Sequence, residues 1–427
     1  MTHSPRMPLA AFAFACSLLG ACGGGGGTIE VPPVSMAVVG PNAISRWYEV
    51  ASTTALLPAS ATGTPEEQRP NATVDLATVQ LAVYDALMAI VGTHKPYAIT
   101  PATPGADASQ EAAIAAATYG VLKGLFPSRS ASYQGEYDSY LATSVAGPAR
   151  TAGLAIGSEA AAGMLALRAN DGRSVALAPY VPGTAPGQFR GTNPIGRFNA
   201  YIKPFTLTSN AQFRAPGPPA LDSAAYAADV NETMRLGSLT STTRSAEQTE
   251  LARFATENPG TFWARTLRTF IMTEGSLAEH ARLLAMLSTA QADAGNACFD
   301  SKYFYQAWRP ASAITLAAGN PAITADPDWK PVVATPNHPE YPAAHSCVST
   351  ATAETLRGYF GTSRISFDVS STVTATTRHY TSTDAMIEDF GLARIYGGMH
   401  FRTSTVDGTA LGRNVAAWML ARHFQPR

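Results

Sequence analysis

Along most of the chain apolar residues recur at the three-to-four-residue spacing of a helix, not at the alternation of a strand. Val74 to Val91 keeps that spacing throughout. Asp107 to Leu125 keeps it behind an Asp-x-x-Gln box, and Ala149 to Ala169 is an Ala-rich run stopped by Asn170-Asp171-Gly172. Ser245-x-x-Gln248 and Ser276-x-x-Glu279 are two more capping boxes, each ahead of a long helix-compatible run, and a shorter helix is predicted around Ser45 to Ala55. The β-branched run Thr372 to Thr377 is the only clear strand candidate. The pattern predicts an all-α protein of two packed helical layers.

Breaks in the pattern set the domain organisation. The Pro/Gly-rich stretch from Arg173 to Leu221 reads as a long loop crossing between an N-terminal helical region, 45–221, and a C-terminal bundle, 222–427. No internal repeat is visible. Ahead of these, Gly23 to Gly27 begins a flexible tether over 23–44. Residues 1–22 have a positive Arg6, an apolar stretch from Met7 to Leu19, and then Leu19-Gly20-Ala21-Cys22. This resembles the bacterial lipoprotein signal, which implies lipidation at Cys22, a membrane attachment through the lipid and a place in the periplasmic cell envelope. An ordinary secretory signal with an incidental cysteine is the alternative, and export follows from either. No later stretch reaches ~18 uninterrupted apolar residues, so none is expected to span a bilayer.

Composition narrows the function classes. The chain has 427 residues, 46% hydrophobic and 14% charged, with a formal net charge of −1. Such a chain is globular and lacks the basic footprint of a nucleic-acid binder. Only five of its 30 basic residues are lysines, which makes each lysine informative. Once Cys16 and Cys22 are assigned to the signal, Cys298 and Cys347 remain as a candidate disulfide in an oxidising compartment, or as two buried free thiols.

The chemistry concentrates near the C-terminus, where five of the eight histidines (His338, His345, His379, His400 and His423) lie. In the string Lys302 to Pro310, seven residues at about 100° each put Lys302 and Arg309 on one face of one helix, about 10 Å apart, with Pro310 ending it. Tyr303, Phe304, Tyr305 and Trp308 beside them predict burial in place of a solvated basic face. In Tyr341-Pro342-Ala343-Ala344-His345-Ser346, a proline opening a helix leaves the first-turn N–H groups aimed at whatever lies ahead, with His345 at the mouth. In Arg394-Ile-Tyr-Gly397-Gly398-Met-His400, the glycine pair lets the backbone break so that Arg394 and His400 converge, or else marks a plain helix end. Three cations, helix-start donors and two histidines suit a tetrahedral or trigonal-bipyramidal oxyanion. Zinc and nucleotide motifs are absent from the sequence.

Lys-x6-Arg-Pro, then a Pro-x-x-His and an Arg-x5-His element in this order, resembles the three-part signature of the vanadium-dependent haloperoxidases and the type 2 phosphatidic acid phosphatase superfamily. The aromatic-rich Lys302 to Pro310 segment looks most like bacterial haloperoxidase-type members. The resemblance implies two four-helix bundles and an enzyme that oxidises halide with hydrogen peroxide, or a small organic substrate after it, at a histidine-ligated vanadate whose place phosphate can take. It implies that His400 is the axial metal ligand, that Lys302, Arg309, Arg394 and the Ala344 N–H hold the oxyanion, and that His345 is the acid–base group.

Three departures from the signature stand out: Ala343 for the family serine, Ala344 for the glycine, and Ala393 for the serine before Arg394. The acceptor that phosphatases place four residues after the histidine is Ser404 here, with Asp407 further on, which counts against the rival reading of an acid phosphatase attacking a phosphomonoester through His400. A non-catalytic oxyanion-binding lipoprotein is the third reading. Asp293 and Asp300 are candidates to pair with the site cations, and His338 and His379 are candidates to support it, with surface or structural roles as the alternatives. The sequence leaves the oligomeric state open.

Overall fold

The computed structural model describes residues 33–36, 42–270, 275–317 and 319–427, so the expected signal, Cys22 and most of the expected tether lie outside the described residues. The described residues form fourteen α-helices and three short strands, the all-α class that the periodicity predicts.

Four helices of the N-terminal half pack together: Ala43–Ala55, Ala72–Val91, Gln110–Leu125 and Pro148–Arg168. The second is apolar all round and long enough to cross a membrane, yet nearly all of it is buried, as the core helix of a large domain is. In the C-terminal half Leu277–Tyr305, Ala344–Phe360, Thr383–Tyr396 and Arg402–Arg422 do the same. The two sets meet where Leu277–Tyr305 lies against Ala72–Val91. One hydrophobic core runs through both.

Local signals explain most helix starts. The capping boxes at Ser245 and Ser276 form as read, although the first opens a helix of only nine residues, Ala246–Phe254. The Gln110 helix departs from expectation: its cap is Ser109, while Asp107 sits in a turn at φ 60°. The predicted strand over Thr372 to Thr377 is also misplaced. The strands are Ile365–Ser370 and Thr377–Tyr380, antiparallel with Phe367 opposite Tyr380, and the β-branched residues between them form the turn. Val34–Ser35 adds a parallel edge to Ile365–Ser370.

Residues 173–221 hold no α-helix, only the 3-10 turn Arg197–Tyr201, and carboxylates fasten them. Asp293 accepts from the N–H groups of Phe205 and Thr206, both at 2.7 Å, and of Leu207 at 3.3 Å. Asp300 pairs with Arg214 at 2.8 and 3.0 Å. Both aspartates therefore hold this loop, and the expectation that they pair with the site cations is corrected. His379 is likewise remote: it is exposed on the strand Thr377–Tyr380 and pairs with Asp368 at 2.7 Å.

Candidate oxyanion site

The stretch between Leu277–Tyr305 and Ala344–Phe360 organises the site. Lys302 lies in the last turn of its helix with a fully buried ammonium. All three ammonium hydrogens go to carbonyls, those of Pro339 (3.1 Å), Glu340 (2.8 Å) and Pro342. Lys302 thus pins the 339–342 backbone and offers the cavity its charge, not a free donor.

Lys302 and Arg309 are not on one helix. The chain leaves the helix at Tyr305, Gln306 takes a left-handed conformation (φ 49°), and Arg309 is the residue before the next helix, Pro310–Leu316. Pro310 starts that helix instead of ending the earlier one. The arginine still arrives at the site. Its Nε donates to the His338 carbonyl at 2.8 Å, one terminal nitrogen lies 2.8 Å from the Met399 carbonyl and 3.1 Å from His400 Nε2, and the other lies 3.0 Å from His338 Nδ1.

The Ala344–Phe360 helix opens on Ala343, whose methyl cannot cap. Pro342 lies two residues further out than expected, behind the cap. The first-turn N–H groups remain to face the cavity that Ala344 and His345 line. Gly408 and Gly412 let Arg402–Arg422 lie directly on this helix start: a Cβ there would come within 2.8 Å of the Ala343 carbonyl and 2.4 Å of the Cys347 carbonyl.

The glycine pair breaks the chain as its position predicts. Thr383–Tyr396 ends at Gly397, and Gly398 (φ 72°) turns the chain back so that His400 N and Met399 N both donate to the Arg394 carbonyl. Arg394 and His400 then line the same cavity, about 490 Å³, together with His338 and His345. Arg394 donates to the Ala255 carbonyl and approaches the Met399 sulfur at 2.9 Å, while its buried Nε has no partner. Of the three cations it is the one with a donor to spare.

Glu340 is the residue that sequence reasoning missed. It is buried, and its Oε1 accepts from His400 Nδ1 at 2.9 Å and from Phe401 N at 3.1 Å. The acceptor absent at position 404 is supplied from the loop before the Ala344–Phe360 helix, so that objection to a histidine nucleophile falls. With Nδ1–H given to the carboxylate, His400 keeps its lone pair on Nε2, which faces Arg309. His345 has the opposite tautomer: Nε2–H donates to the Glu257 carbonyl at 2.7 Å, leaving Nδ1 as the basic nitrogen.

Burial shapes the ionisation of every group. Desolvation, and then Arg309, Arg394 and Lys302, hold His345 and His400 well below the usual imidazole range, so both rings are neutral. Desolvation followed by Arg309 and Lys302 does the same for His338, whose ring lies 5.2 Å from that of Phe299. Burial lowers Lys302 to about 8, Arg394 to about 9 and Arg309 to about 10, and raises Glu340 to about 7. Cations crowded in a dry pocket against one carboxylate are the electrostatic complement of a small anion. Cys298 and Cys347 are neighbouring, buried free thiols beneath the site, so the disulfide expectation gives way to its alternative.

These features define a helical protein with a buried, histidine-bearing cavity whose charge suits an oxyanion. Residues 282–426 match the family model described as the VCPO second helical-bundle domain. The structure of a bacterial vanadium-dependent iodoperoxidase is 25% identical and covers 90% of this chain and 95% of its own, with a TM-score of 0.72. That of a holo-type bacterial vanadium-dependent chloroperoxidase is 18% identical, covers 90% and 98%, and has a TM-score of 0.67. No curated protein matches the sequence. The family model over residues 282–426 and the likeness to the iodoperoxidase support a relationship to the vanadium haloperoxidase superfamily.

Proposed function

We propose that this protein is an exported, lipid-anchored haloperoxidase-type enzyme that holds vanadate at His400 Nε2 and oxidises halide with hydrogen peroxide. The observation that carries this reading is the His400 ring. Glu340 fixes its Nδ1–H, its Nε2 lone pair points to Arg309, and it lines a cavity with the partnerless Nε of Arg394 and an uncapped helix start. An oxyanion entering there takes over the Arg309 donor that His400 now accepts, and gains Arg394 Nε and the Ala344 N–H. Lys302 adds charge from behind its three carbonyls. When bound, vanadate supplies the centre at which peroxide becomes a halide oxidant. The protein's own part is neutralising the anion, excluding water and moving protons through His345 Nδ1.

The same His400 tautomer would serve attack on a phosphomonoester, and that is the second reading. The likeness to iodo- and chloroperoxidases supports the first. The deciding assay measures halide oxidation with vanadate and peroxide, alongside hydrolysis of p-nitrophenyl phosphate without metal. Activation by orthovanadate in the first supports the proposal. Turnover only in the second, inhibited by orthovanadate, overturns it.

A further inference from the structure

A second cavity, of about 250 Å³, is lined by Glu340, whose carboxylate also holds the His400 ring of the oxyanion cavity. Its mouth is formed by the crossing segment at Pro186, Pro218 and Ala220, all exposed, and its walls are the buried rings of Tyr226, Trp308, Tyr341 and Phe401. The rings are fixed: Trp308 Nε1 donates to the Tyr226 hydroxyl at 2.9 Å, and Tyr226 meets Phe401 edge-on at 6.0 Å.

Two carboxylates reach this aromatic enclosure, Glu340 and Asp229, and both act on the Tyr226 phenol. Asp229 is only 6% exposed. It accepts one N–H, from Thr403 at 3.2 Å, and among the described residues no ion pair compensates it, since the adjacent Arg402 pairs with Glu232 at 2.6 Å instead. Burial raises its carboxyl above the usual range. A buried carboxylate held by Thr403 and only distantly offset by Arg402, facing aromatic walls in a pocket open to solvent, has an incomplete electrostatic environment. Aromatic faces and a carboxylate are the two elements that bind an alkylammonium group. The volume is at the small end for ligand sites, so the ligand is compact.

We propose that this cavity binds a small organic ammonium ion with a compact apolar body, its charge directed to Asp229 and its body against Trp308 and Phe401. The site is separate from the oxyanion cavity, although Glu340, which lines it, also holds the His400 ring.

Calorimetric titration of the full chain with benzylammonium, benzyl alcohol and phenylacetate tests it. Benzylammonium should bind about tenfold or more tighter than benzyl alcohol, and phenylacetate should not compete for the cavity. Asp229→Asn should weaken benzylammonium about tenfold while leaving benzyl alcohol and phosphate affinity unchanged. Ala220→Trp, a rim change that spares the buried carboxylates, should abolish benzylammonium binding even if the asparagine variant fails to fold. Equal binding of the amine and the alcohol, or amine binding indifferent to Ala220→Trp, would overturn the proposal.

Discussion

Oε1 of Glu340 lies 2.9 Å from Nδ1 of His400, and the same oxygen accepts the N–H of the next residue, Phe401. One buried carboxylate therefore sets both the tautomer of the imidazole and the path of the backbone that carries it. Removing the acceptor should leave an N–H buried without a partner. Glu340→Ala is expected to weaken vanadate or phosphate binding about 10- to 100-fold, and Glu340→Gln, which keeps an acceptor oxygen, considerably less. Titration calorimetry with phosphate gives the ranking, and wild-type affinity in the alanine variant would contradict it.

Anion affinity should fall as pH rises above neutrality. Burial lowers Lys302 to about 8, so its ammonium loses its positive charge within the range pH 7 to 10, while the guanidinium groups of Arg309 and Arg394 keep theirs and the neutral histidines do not change. A bound anion stabilises the protonated cations and shifts the fall upward, without reversing its sign. Losing one unit charge near the anion removes about 1–4 kcal/mol. Sulfate, whose own charge is constant over this range, should bind about tenfold or more weakly at pH 10 than at pH 7. A flat profile would mean that the Lys302 ammonium stays charged or does not act on the anion.

Gly398 and Gly361 both have left-handed backbones, φ 72° and 70°, but only the first is crowded. A Cβ on Gly398 would come 2.7 Å from the Gly237 carbonyl and 2.9 Å from the Pro331 ring, whereas one on Gly361 meets nothing within 4 Å. Gly361→Ala should therefore cost about 1 kcal/mol in thermal or urea unfolding, the backbone term alone. Gly398→Ala should cost more than about 2 kcal/mol and also weaken phosphate binding, because the turn carries Arg394 and His400. Equal losses in the two variants would show that the crowding is relieved elsewhere.

Asp293 gives a variant in which stability and site chemistry separate. Its carboxylate satisfies three backbone N–H groups and the Thr206 hydroxyl, so Asp293→Ala should destabilise the fold by about 2–4 kcal/mol as several buried donors are orphaned. Phosphate affinity of the folded fraction should stay within about threefold of wild type, since the crossing segment at 205–207 does not line the oxyanion cavity. Loss of binding without loss of stability would return Asp293 to the site.

The helical class, most helix positions and the site's main side chains were legible because each is a local signal. A 3.6-residue period, a capping box or a glycine pair between Arg394 and His400 acts within a few residues. What was illegible depended on distance or on a single residue's conformation. Gln306 in the left-handed region splits Lys302 from Arg309, and nothing about a glutamine announces that. Glu340 stands alone in a proline-rich stretch with no periodicity, and its partner His400 is identified only by the fold. Asp293 and Asp300 sit close to Lys302 in sequence, but the helix turns them toward the crossing loop, so proximity along the chain misassigned them. The thiols of Cys298 and Cys347 are neighbours, as a disulfide would need, yet spacing alone does not determine their redox state.

The three carbonyls that surround the Lys302 ammonium belong to the same short segment that delivers Glu340 to one histidine and leads into the helix bearing the other. Attraction for the ligand and rigidity of the scaffold are thus vested in one nitrogen. A chain built this way has no gradual route to weaker binding through that position, because any replacement that discharges it also unfastens the loop beneath both imidazoles. Drift in affinity is left to Arg394, the cation that the backbone does not fully claim.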